Sequence, residues 1–99
     1  MATTCNKHAA RPEPAPRRKA FQPATVRQGA VELRAHVLDV SRSGAMFHCR
    51  TAFLRDSLVT VRCGDVTVRG RVVWSEDGRH GVAFMNVLPD AMVEAMIAG

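Results

Sequence analysis

The stretch V-E-L-R-A-H-V-L-D-V-S-R-S-G-A-M-F-H-C, residues 31–49, decides the fold. Val31, Leu33, Ala35 and Val37 alternate with Glu32, Arg34 and His36. A period of two marks a half-buried strand, because successive side chains on a pleated backbone point to opposite faces. Ala45-Met46-Phe47-His48-Cys49 is a second short apolar run. Between the two, Asp39-Val40-Ser41-Arg42-Ser43-Gly44 is a turn rich in small polar residues. Asp and Ser bond back to nearby amides, and Gly accepts φ > 0. The plain reading is a turn between two strands. The sharper reading is a ligand loop, in which Ser41 offers a donor and an acceptor, Asp39 an acceptor pair, and Gly44 close access to the backbone.

Strands are expected on both sides of this hairpin. The first covers residues 30–40 and the second residues 45–50. Residues 58–63 form a third, with Val59, Val61 and Cys63 on one side. Gly64-Asp65 then suits a type II′ hairpin turn. The fourth strand, residues 66–75, puts Val66, Val68, Gly70, Val72 and Trp74 on its inner face, and Gly70 marks a tight bend. A turn at Glu76-Asp77-Gly78 leads to a fifth strand, residues 79–85, with Val82 and Phe84 inward. Pro89 fits the first turn of a helix and Asp90 its positive end. Met92, Val93, Met96 and Ile97 share one helical face. Short strands with tight turns indicate an antiparallel barrel or sandwich.

The N-terminal part reads differently. Residues 1–16 have little apolar content and carry Pro12, Pro14 and Pro16, so a disordered tail is expected there. Residues 17–28 read as a basic linker, with Phe21 and Val26 as anchors on a domain that spans 17–99. The chain of 99 residues has a net charge of +5. Residues 1–27 hold six basic side chains against Glu13 alone, whereas eight arginines and eight carboxylates cancel in the remainder. Such an arm either keeps the chain solvated or attracts an anion. No apolar run approaches the roughly 18 residues of a membrane span, and no apolar signal core precedes the domain. Neither membrane insertion nor secretion is expected. Cys5, Cys49 and Cys63 show no C-x-x-C spacing, so reduced thiols in a cytoplasmic protein fit best.

An enzyme is hard to build from these residues. His8, His36, His48 and His80 are scattered, and no nucleophile elbow, phosphate loop, metal-protease helix or paired carboxylates stand in the sequence. A binding module without metal or cofactor is the better class. Nucleic acid is one anionic partner for a basic barrel. Single-strand binders need exposed aromatic platforms, however, and Trp74, Phe47 and Phe84 are assigned to the core.

Four features stand in order: Arg17-Arg18 ahead of the first strand, D-x-S-x-x-G after it, Gly70-Arg71-Val72-Val73-Trp74, and Gly81-Val82-Ala83-Phe84. In order and spacing they resemble the PilZ domain, from about Arg17 to the C-terminus. The resemblance implies a six-stranded antiparallel β-barrel with a short C-terminal α-helix. One strand is then unassigned, and residues 51–57 are where it could lie. The resemblance also implies a bacterial cytoplasmic receptor for cyclic di-GMP that relays the signal to a partner protein. In that family an R-x-x-x-R motif folds over the ligand beside D-x-S-x-x-G. Guanine O6 and N7 and phosphate oxygens all suit the guanidinium fork. Asp39, Ser41 and Gly44 match without change. Arg18 can open the Arg motif, which puts Gln22 at its second position. Starting from Arg17 puts Phe21 there. The implied ligand residues are therefore Arg17, Arg18, Gln22, Asp39, Ser41 and Gly44. Two rival readings stand beside this one: a PilZ-like adaptor that has lost its ligand, and a basic barrel that binds nucleic acid. On the lid reading, removal of residues 17–22 abolishes ligand binding but leaves the fold intact.

Overall fold

The computed structural model describes residues 17–99. The tail expected over residues 1–16, and Cys5 within it, lie outside the described residues. The chain forms a closed barrel of antiparallel strands in the order β1-β2-β3-β6-β5-β4. The strands are β1 (Arg18–Gln28), β2 (Val31–Val40), β3 (Gly44–His48), β4 (Leu58–Cys63), β5 (Val66–Glu76) and β6 (Arg79–Phe84), followed by α1 (Asp90–Ala98).

The sixth strand is the basic segment itself, not residues 51–57. β1 pairs along β2 from Arg18↔Val40 to Gln28↔Val31, and closes the barrel on β4 through Thr25, Val26 and Arg27. Pro23 lies outside the stretch paired with β4, where a missing N–H disturbs the ladder least. Residues 51–57 instead fold as a turn, with the Ser57 amide and hydroxyl both donating to the Leu54 carbonyl. Phe53 from this turn is buried, while Leu54 is exposed.

Alternation fills the interior. Val26, Val37, Val40, Phe47, Val61 and Val72 have essentially no exposed surface. Phe47 meets Phe53 edge to face at 5.8 Å. Burial of one such side chain contributes about 1.5–3 kcal/mol. His80, on β6, is also core. Its ring lies 5.0 Å from both Phe47 and Phe53. The Cys49 carbonyl lies 3.0 Å from its Nε2, and the Ser75 hydroxyl 2.7 Å from its Nδ1. A carbonyl can only accept, so Nε2 donates, and in the neutral imidazole Nδ1 then accepts from the Ser75 hydroxyl. Exposed His36 and His48 sit opposite each other on β2 and β3.

Gly64, at φ +60°, opens the β4–β5 hairpin as a type II′ turn requires. Gly70 answers to close packing. A Cβ there would lie 2.7 Å from the Ala83 carbonyl oxygen on β6. α1 covers one end of the barrel with Val93 and Met96 buried and Met92 and Ile97 partly so. Pro89 is its N-cap, with extended backbone, so it precedes the first turn rather than filling it.

Trp74 is not core. It is 38% exposed and lies over Gly81 on the neighbouring strand. The cause is a bulge between Val72 and Trp74, where the register shifts against β6. A bulge adds one residue and turns the following side chain to the other face.

Candidate functional site

The same device builds the loop region. In the phase set by Leu33, Ala35 and Val37, the next inward position on β2 is Asp39. A bulge between Val37 and Asp39 resets that phase. Val40 takes the buried position, and Asp39 meets the start of β1 instead. There the Arg17 Nη1 donates to Asp39 Oδ1 at 3.4 Å. A second irregularity, between Lys19 and Gln22, sets three steps of β1 against two of β2. Phe21 sits within it at φ +51° and is 64% exposed. It is therefore not the anchor expected; Val26 is. The Lys19 ammonium lies 6.0 Å from the Phe21 ring centre.

The loop holds its own shape. The Ser41 amide donates to the Gly44 carbonyl at 2.8 Å. Ser41 is 6% exposed, and its hydroxyl accepts from the Ser43 amide at 3.3 Å and donates to the Gly44 carbonyl at 3.3 Å. Gly44 is required by β6: a Cβ at this position would lie 2.5 Å from the Val82 carbonyl oxygen. Arg42, an unspecified position of the motif, ties the loop to the segment before α1. Its Nε donates to the Leu88 carbonyl at 3.1 Å, and Asp90 lies 3.6 Å away. No sequence pattern marks this contact.

The six residues implied by the resemblance thus divide in two. Arg17, Asp39, Ser41 and Gly44 gather at the β2–β3 loop. Arg18 and Gln22 face α1. The Arg18 guanidinium pairs with Glu94, and the Gln22 side-chain amide donates to the Ile97 carbonyl at 2.8 Å. Both partners of the Arg18–Glu94 pair are about half exposed. Such surface pairs are screened by solvent and hold weakly, so Arg18 is easily recruited elsewhere.

A small barrel whose basic first strand flanks a bulge-set loop is a binding module. The sequence pattern of the PilZ domain matches residues 14–98, and the chain belongs to this family. The match begins ahead of β1, so the basic segment is part of the domain. No curated protein matches the chain. PilZ is a receptor domain rather than a catalytic family. Among the described residues no cluster of His, Cys, Asp or Glu could hold a metal ion, and no helix is long and apolar enough to cross a membrane.

Proposed function

We propose that this chain is a receptor for cyclic di-GMP, acting in the bacterial cytoplasm and passing the messenger level to a partner protein. Family membership supports the ligand class, and the Arg17–Asp39 contact is the observation that carries the reading. It sets a guanidinium and a carboxylate side by side at the loop, 22 residues apart in sequence. A guanine edge and a phosphate need that pair of chemistries. Arg18 joins on release from Glu94, and the exposed Phe21 ring, near Lys19 on the same strand, offers a stacking face. Asp39 polarises a guanine N–H. Ser41 and Gly44 keep the loop in shape.

The ligand-free adaptor is the second reading, favoured by one observation. Gln22, at the second position of the Arg motif, already spends its amide on the Ile97 carbonyl. Titration calorimetry with cyclic di-GMP separates the two. The receptor reading expects saturable heat with the wild-type chain. Arg17→Ala should then weaken binding roughly ten- to a hundredfold, the value of one charge-assisted hydrogen bond. No heat with the wild-type chain, or equal affinity after the substitution, sinks the receptor as drawn.

A further inference from the structure

β1, β4 and β5 are consecutive in the barrel, with β4 between the other two. The outer face of this wall repeats one pattern. Thr25, Arg62 and Thr67 stand in one transverse row, and Arg27, Thr60 and Arg69 in the next. Each arginine is therefore opposite a threonine, never opposite another arginine. Like charges directly across a ladder repel, so this checkerboard packs cations on one face at little cost to the sheet. Adjacent strands are about 4.8 Å apart, which puts Arg27 and Arg69 on the order of 10 Å from each other. None of Arg27, Arg62 and Arg69 makes an ion pair among the described residues.

Beside Arg27 and Arg69 runs an open groove of about 640 Å³. Leu58, Met85 and Leu88 line it, and no carboxylate or aromatic ring does. Leu58 and Met85 are more than half exposed, and Val87 next to them is 64% exposed. Cations around an apolar floor are the anatomy of a protein interface, where Arg and Met are enriched. A nucleic-acid strand would use the charges but leave the apolar floor wet, and it would find no stacking ring.

The geometry points to this groove as a docking site for an acidic amphipathic segment of a partner protein. Apolar side chains of the segment seat on Leu58 and Met85, and its carboxylates meet Arg27 and Arg69. Charge complementarity selects this occupant. In a second copy the amphipathic helix is α1, and its carboxylates, Asp90 and Glu94, already face Arg42 and Arg18. The inference stands without the cyclic di-GMP reading, because none of the residues assigned to that ligand lines the groove.

The probe is a synthetic amphipathic peptide of about four helical turns, with leucines on one face and glutamates on the other. Two controls accompany it: the same leucines with lysines, and a random single-stranded oligonucleotide. Each is titrated into the full isotope-labelled chain and followed by NMR. The acidic peptide should bind saturably and shift the amides of Arg27, Leu58, Thr60, Arg69 and Met85. The lysine peptide should not bind. Arg27→Gln with Arg69→Gln should weaken the acidic peptide about tenfold or more. Both positions are exposed, so the melting temperature of this variant should stay close to wild type. Absence of saturable binding, shifts on another face, or equal binding of the lysine peptide overturns the proposal. So does tighter binding of the oligonucleotide to the same arginines, which would make the face a nucleic-acid surface.

Discussion

Gly44 and Ser41 belong to the motif that resembles a ligand loop, yet each has a duty inside the barrel. The open side of Gly44 faces the Val82 carbonyl of β6, and the Ser41 hydroxyl is spent on the loop's own backbone. Neither residue type alone distinguishes a close ligand from a close strand. Gly44→Ala tests the packing duty. A Cβ at 2.5 Å from backbone oxygen cannot be relieved by a side-chain rotation. Overpacking of this kind costs about 1–3 kcal/mol. Urea denaturation should show that loss with cyclic di-GMP absent. An unchanged midpoint would mean that β6 does not approach so closely. Asp39 is the reverse case. The sequence places it in the polar loop with a free acceptor pair, and the bulge before it brings that carboxylate to Arg17.

At the scale of elements, the sequence was legible where period two ran unbroken. β2 from Leu33 to Val37, β4, the first part of β5, and the apolar face of α1 follow their patterns, whereas Val31 at the head of β2 is exposed. It was not legible at bulges. A bulge is one added residue with no composition signal, and it reverses every side chain beyond it. Trp74 falls out of its expected phase for that one reason. β1 was missed because its apolar residues are few and small and Pro23 interrupts them; closure of the barrel overrides this weak local preference. The consequence is testable. Removing residues 17–22 takes away the rows Arg18↔Val40, Lys19↔Asp39 and Gln22↔Val37 and both side-chain ties to α1. Several hydrogen bonds at about 0.5–1.5 kcal/mol each are lost. The melting temperature should fall by about 10 °C or more relative to a chain starting at Arg17. Equal melting of the two would return this segment to the status of a removable arm.

For the molecule as a whole, the barrel and its helix meet at Cys63. The thiol has no exposed surface, and its Sγ lies 3.5 Å from the Met96 carbonyl. Burial pushes this thiol above its ordinary value of 9.0, because the thiolate would lose its water. In the unfolded chain the same thiol ionises freely near 9.0. Above that pH the unfolded state binds fewer protons than the folded state, so its free energy falls relative to the fold. Stability is thus fully present below about pH 9 and declines as pH rises toward the folded value, with a limit of about 1.4 kcal/mol per pH unit for one group. The chain has no Tyr. Urea midpoints measured under reducing conditions from about pH 8 to about pH 10.5 should fall steadily beyond pH 9. Cys63→Ala should start from a lower stability, since it leaves a small cavity under α1, but should lose less per pH unit. Parallel curves for the two proteins would show that the alkaline loss arises elsewhere, and that the junction of barrel and helix does not hold this thiol in its neutral form.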